Sequence, residues 1–153
     1  MLVYRICWPQ FADDLTGQGS FLFGGRWNFK GERMLYTATN PSLAMLEMLV
    51  HLPNCVIQTN FCLITIELKF KAIDELELKN CPLDWRNSDA PESLKRLGSS
   101  FLKMQKSAGL LVPSVIMPRD KNLLINPLHK DMASLTIVDK MDLEIEKRLL
   151  TKA

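Results

Sequence analysis

Residues 24–49 read GGRWNFKGERMLYTATNPSLAMLEML. Three kinds of segment follow one another in this stretch. Gly24-Gly25-Arg26-Trp27-Asn28 is turn chemistry with a cation and a large aromatic inside it. Met34 to Thr39 is β-prone. Asn40 then offers an N-cap, and Pro41 suits the first helical position, where no N–H is needed. Leu43 to Val50 continue as a helix that is apolar on nearly every face, with Glu47 as its one charge, and such a helix is expected to be buried all round. A loop, a strand and a helix in direct succession make a mixed α and β domain the expectation.

The flanking chain extends that pattern. Leu2 to Cys7 is a short apolar strand that Pro9 ends. Residues 10–34 read as a long glycine-bearing loop, and loops of that length are often functional. Phe61 to Phe70 alternates, with Cys62, Ile64, Ile66, Leu68 and Phe70 on one side, as a half-buried strand does. Residues 72–90 are mixed and polar. Pro91 opens a second helix, with Leu94, Leu97, Phe101, Leu102 and Met104 as its stripe and Gly109 as its C-cap. Leu110–Val112 and Val115–Met117 read as one strand interrupted at Pro113. Leu123–Ile125 and Leu135–Val138 are two further strands, and 141–150 a last short helix. The sum is about six strands and three helices without strict alternation, so the fold class is α+β (mixed α/β) in one domain over 1–153.

The totals bound the function. The chain has 153 residues, 47% hydrophobic and 24% charged, as an ordinary globular protein has. A formal charge of +2 is too mild to argue for nucleic acid. Four cysteines (Cys7, Cys55, Cys62, Cys81) form no CxxC pair, and with two histidines they offer no metal site at ligand spacing. They read as reduced thiols of a cytoplasmic protein. The opening MLVYRICW lacks the features of a signal peptide, and no apolar run is long enough for a membrane span.

Two residues raise chemical questions. Glu47 shares a helical face with Leu43, Leu46 and Val50. It is either a rim residue paired with a Lys or Arg, or a pocket carboxylate. Arg26 either makes a structural salt bridge or binds an anion. Its planar fork suits phosphate, and the glycines before it would let the backbone approach a ligand. Trp27 and Asn28 would brace the loop, by packing and by an Asx-type turn. Tyr36 is a core ring or a stacking surface with a usable hydroxyl. His129 reads as a residue of a surface turn. Without GxSxG, GxGxxG or GxxxxGK[ST], serine hydrolase, Rossmann and P-loop readings fail.

Taken together, these pieces resemble the RES domain family. Arg26, Tyr36 and Glu47 stand at intervals of ten and eleven positions within residues 24–49, and VPSVIMP supplies Ser114. NLLINPLHKDM supplies Asn126, Pro127 and His129, and VYRI supplies Arg5. The resemblance spans about residues 3–138 and implies a fold like that of ADP-ribosyltransferase toxins. It further implies the toxin of a toxin–antitoxin pair, with an Xre-type helix-turn-helix antitoxin as partner and NAD as substrate. The reaction would be hydrolysis or phosphorolysis of the nicotinamide–ribose bond, or ADP-ribosylation of a protein. Glu47, Arg26, Tyr36 and Ser114 would be catalytic. Arg26, Trp27, Asn28, Tyr36, Arg5 and Asn126 would bind the dinucleotide, and no metal is implied. A binding module without chemistry and a ribonuclease are the alternatives. The mild charge speaks against the latter. A homodimer is plausible, and Leu149–Leu150 are apolar candidates for the antitoxin face.

Overall fold

The computed structural model of the protein describes residues 1–52, 60–70 and 72–150. Cys55 lies outside them. Among the described residues one sheet of seven strands forms: β1 (Leu2–Cys7), β2 (Leu35–Ala38), β3 (Asn60–Leu68), β4 (Ile73–Glu75), β5 (Gly109–Pro113), β6 (Lys121–Ile125) and β7 (Leu135–Glu144). Their order across the sheet is β4-β5-β6-β2-β1-β3-β7. Neighbours run antiparallel except β4 with β5, which are parallel. The α-helices are α1 (Gln18–Phe23), α2 (Pro41–His51), α3 (Glu92–Met104) and α4 (Lys147–Leu150). The fold is α+β, as expected. Among the described residues no helix is long and apolar enough to cross a membrane.

Alternation along the strands divides the core by sheet face. Val3, Leu35, Cys62, Ile64, Ile66, Leu68, Leu123 and Ile125 build the larger apolar cluster on one face. The opposite face carries two more. Trp27, Met34, Leu94, Phe101, Val112 and Leu124 form one, which includes α3. Ala38, Leu43 and Ala44 form the other, where α2 rests on β1 and β2.

The start of α2 follows its sequence signals. Asn40 is extended, and its Oδ1 accepts from the Leu43 N–H at 2.8 Å, with Pro41 just inside the helix. The expectation of burial all round does not hold. Leu43 and Ala44 are buried, whereas Val50 is 56% exposed. The outer side of α2 instead lines an apolar groove of about 430 Å³ with Ile6, Leu63, Leu143 and Leu149.

Other boundaries differ for local reasons. β4 is three residues within a polar stretch and carries no alternation to read. Val115–Met117 is not a strand. β5 stops at Pro113, and the Ser114 hydroxyl accepts the N–H groups of Ile116 and Met117, closing a turn where a ladder would need those donors. α3 ends at Met104 with Gln105 in the left-handed region (φ 48°), and Gly109 begins β5 instead of capping the helix. β7 continues to Glu144, where it pairs with Asn60, so the last helix is confined to α4. The long loop contains α1.

Candidate active site

Glu47 projects from α2 toward the hairpin that joins β5 to β6. Its Oε1 accepts two hydrogen bonds, from Ser114 Oγ at 2.8 Å and from Asn122 Nδ2 at 2.6 Å. Ser114 is fully buried, and its hydroxyl also accepts from the N–H groups of Ile116 and Met117, at 3.1 Å each. A serine hydroxyl has one proton and two lone pairs, and all three are used here. The Ser114 N–H donates to Asp120 O at 3.0 Å and closes the base of the hairpin. Glu47 is half-buried, with no lysine or arginine partner among the described residues, so it is not a rim salt bridge. Its Oε2 accepts no hydrogen bond from the described residues.

Arg26 sits in a second hydrogen-bonded set. Its guanidinium donates to three backbone carbonyls: Trp85 O at 3.4 Å, Asn87 O at 2.9 Å and Ser88 O at 3.2 Å. These acceptors are neutral. They fix the fork without cancelling its charge, and no carboxylate pairs with it among the described residues.

The rest of the GGRWN loop explains how Arg26 is held. Tyr36 Oη accepts from the Trp27 N–H at 3.0 Å and donates to Asn28 Oδ1 at 2.7 Å. Asn28 is fully buried, and its Nδ2 donates to the carbonyls of Ser20, Phe29 and Glu32. Trp27 is 3% exposed and packs against α3. Burial pushes the Tyr36 hydroxyl above its ordinary value of 10.0, against the opposing pull of the Trp27 N–H and Arg26. Gly25 has its own reason: a Cβ there would stand 2.4 Å from Tyr36 Oη. The glycine makes room for a tyrosine of the protein itself. Gly24 has φ +73° and ends α1.

The two sets share one face of the sheet. Asn122 pairs with Ala38, two residues beyond Tyr36 on β2, and Tyr36 pairs with Leu124. Tyr36 and Asn122 are therefore diagonal neighbours, about 7–8 Å apart. The structure thus brings Arg26, Trp27, Asn28, Tyr36, Glu47 and Ser114 into one region.

Two expected site residues lie elsewhere. Arg5 pairs with Ile64, whose side chain belongs to the cluster on the opposite face, and Arg5 donates to Asp14 O at 2.5 Å. Asn126 follows the far end of β6, 98% buried, with Nδ2 on Leu102 O and Oδ1 accepting from the Leu128 N–H. His129, expected on a surface turn, is 5% exposed. Its Nδ1 accepts from the Asp131 N–H and its Nε2 meets Gln105 O at 3.1 Å.

Sequence reading missed several contributors. Asn122 went unnoticed because it stands just ahead of the apolar run Leu123–Ile125. The signal was its period-2 phase with Leu124. The 85–88 carbonyls that hold Arg26 have no side-chain signature. Gly98 of α3 was also missed: a Cβ there would lie 1.7 Å from Trp27 O, so helix and loop touch backbone to backbone. Ser99 beside it donates to the Glu32 carboxylate at 2.6 Å, which also accepts from the Phe29 N–H. Among the described residues no three His, Cys, Asp or Glu side chains gather as a metal site would need.

The chain as a whole has relatives among known proteins. Residues 2–146 match the family model described as "RES domain". The chain belongs to the RES domain family. This RES domain is 38% identical over 151 residues to "Toxin Res" of Yersinia enterocolitica, covering 97% of this chain and 99% of that protein. It is 41% identical over 123 residues to the "Prs ADP-ribosylating toxin" of Sphingobium sp., covering 78% and 76%. Its fold matches a chain of the M. tuberculosis MbcT–MbcA toxin–antitoxin complex with a TM-score of 0.74 at 20% identity, covering 94% of this RES domain and 84% of that chain.

Proposed function

We propose that this RES domain is the toxin of a toxin–antitoxin pair and that it acts on NAD by breaking the nicotinamide–ribose bond. The observation that carries this reading is the Glu47 carboxylate. One of its oxygens is fixed by Ser114 and Asn122, and the other has no hydrogen-bond partner among the described residues. It lies on the same sheet face as the loop that holds Arg26.

The chemistry follows from those placements. Departure of nicotinamide leaves a ribose with oxocarbenium character, and a carboxylate beside it stabilises that charge, as in glycoside cleavage. Glu47 Oε2 is the oxygen free to do so, directly or through a ribose hydroxyl. The leaving group departs neutral, so no general acid is required. Arg26, held among the described residues by neutral carbonyls, would take the pyrophosphate oxygens and set the dinucleotide in place. Ser114 serves by holding Glu47, since its own hydrogen-bonding capacity is filled. Tyr36 would offer its ring edge to the nicotinamide side while its hydroxyl holds the loop. Trp27 and Asn28 act through the loop they brace. Arg5 and Asn126, expected on the dinucleotide, act at most through the fold from the positions they occupy.

Removing Arg26 or Glu47 should lower NAD turnover by about two orders of magnitude or more, the usual size of a lost electrostatic contribution. The test is nicotinamide release from NAD by the purified protein and by Glu47→Ala. Equal rates would sink the reading. Product masses with and without phosphate separate the acceptors, giving ADP-ribose, ADP-ribose 1″-phosphate or a modified protein. The last is a second reading, favoured by the name of the Sphingobium relative. The toxin assignment rests on the relatives named Toxin Res, and the solved toxin–antitoxin complex supports an antitoxin partner, for which the Xre type is the family expectation. Growth arrest on expression of the chain, absent in Glu47→Ala, would bear it out.

A further inference from the structure

The Asn122 side chain sits in apolar surroundings on its sheet face. Its cross-strand partners are Ala38 on β2 and Val112 on β5, and Leu124 follows in phase on β6. Its Nδ2 donates to Glu47 Oε1 at 2.6 Å. Its Oδ1 is the one buried side-chain polar atom without a hydrogen-bond partner among the described residues. A buried carbonyl oxygen with no donor destabilises a fold. A leucine of nearly the same shape would fill this strand position with no such defect. The unpaired oxygen is a local cost to the fold, and among the described residues the amide's hydrogen bond reaches Glu47.

We infer that Asn122 is a positioning residue for the carboxylate: it and Ser114 clamp Glu47 Oε1 and thereby turn Oε2 to the substrate. The inference rests on the proposed role of Glu47. The two donors come from either side of one hairpin, Ser114 at the end of β5 and Asn122 on β6, so the carboxylate is held against a rigid element. With Ser114 alone the carboxylate could rotate about a single contact. A displacement of about 1 Å at a reacting group is enough to lower a rate about 10²-fold.

Three variants separate the possibilities: Asn122→Leu, Asn122→Asp and Glu47→Gln, each assayed for nicotinamide release from NAD and for thermal unfolding. Asn122→Leu should unfold at or above the wild-type temperature. Its kcat should fall about 10²-fold, with KM for NAD within about twofold. Asn122→Asp places two carboxylates at hydrogen-bond distance, where they share a proton. The acid limb of its kcat profile should therefore move to higher pH than in the wild type. A purely structural asparagine predicts the reverse pattern: lower unfolding temperature in Asn122→Leu, unchanged kcat, and an unshifted profile in Asn122→Asp. That pattern, or failure of both Asn122 variants to fold, overturns the inference. Wild-type turnover in Glu47→Gln would instead remove the reading of Glu47 on which it rests. An inactive Glu47→Gln beside a fully active Asn122→Leu would remove the inference alone.

Discussion

Substituting Ser114 by alanine separates holding the site from touching the substrate. The hydroxyl donates to Glu47 Oε1 and accepts from the N–H groups of Ile116 and Met117, in a position with no solvent exposure. Alanine removes the shared acceptor and leaves two backbone donors without a partner near a turn. An unsatisfied buried donor costs about 1–3 kcal/mol. Ile116 is half-buried and Met117 is 45% exposed, so water can take over part of the lost bonding, and the loss should total about 1–3 kcal/mol. For a chain of this size each kcal/mol lowers the melting temperature by about 2–4 °C, giving a fall of roughly 2–12 °C. The same variant deprives Glu47 Oε1 of one of two donors, so turnover measured well below the new melting temperature should also fall, with Asn122 retaining part of the alignment. Differential scanning calorimetry and nicotinamide release on one preparation give both quantities. A Ser114→Ala protein that melts with the wild type yet loses turnover would refute the reasoning. The hydroxyl would then serve the site and contribute nothing to the turn.

Gly98→Ala should lower the melting temperature by several degrees and weaken NAD binding, because its Cβ would fall 1.7 Å from Trp27 O and force α3 and the Arg26 loop apart; a calorimetric scan that matches the wild type counts against that contact. Tyr36→Phe removes the acceptor of the Trp27 N–H and the donor to Asn28, so a stability loss of about 1–3 kcal/mol in urea unfolding is expected. The raised folded-state pKa of Tyr36 means that the folded protein holds this proton more tightly than the unfolded chain. Its contribution is complete below the ordinary value of 10.0 and declines as pH rises above it, so alkaline destabilisation should be shallower in Tyr36→Phe than in the wild type. Arg26→Lys keeps the charge but lacks the fork that meets three carbonyls. KM for NAD should rise about tenfold or more and the 85–88 segment should become more susceptible to protease, whereas unchanged KM and digestion would show that charge alone suffices.

Local signals in the sequence carried the fold where chemistry is local. The Asn40–Pro41 start of α2 rests on one side chain accepting from one N–H three residues on. The alternation of Cys62, Ile64, Ile66 and Leu68 rests on the pleat. Neither needs knowledge of distant partners. Gly109 and Val115–Met117 were misread because each depends on a partner elsewhere. Gly109 has a strand, β6, waiting for it, and the N–H groups after Pro113 have the Ser114 hydroxyl to satisfy them. The exposure of α2 was illegible for a related reason. Hydrophobicity on every face says that a helix can be covered, while the sheet covers only the side bearing Leu43 and Ala44. In the candidate site, Arg26, Tyr36, Glu47 and Ser114 are legible as residue types at the intervals of the family they resemble. Asn122 is not, because a lone asparagine at a strand start is common and only the register with Ala38 points it at Glu47.

The glycine pair serves a different contact from the one its sequence suggests. Flexibility before Arg26 suggested a loop that bends toward a ligand. In the structure Gly25 is small so that the Tyr36 hydroxyl can reach the Trp27 N–H and Asn28 Oδ1, which pins the loop to β2. Three carbonyls of residues 85–88 then pin the guanidinium from the other side. Both restraints are made by neutral groups. A carboxylate in either place would hold Arg26 as well, but it would neutralise the charge that the proposed function sets against the pyrophosphate. Glu32, the carboxylate of this loop, is taken up by Ser99 and the Phe29 N–H. Exchanging Asn87 for another residue should therefore matter little, since Arg26 reads its backbone, whereas Ser88→Pro, which restricts Asn87 toward extended backbone, should raise KM for NAD with kcat less affected. Equal KM in Ser88→Pro would mean that Arg26 is positioned by the GGRWN loop alone.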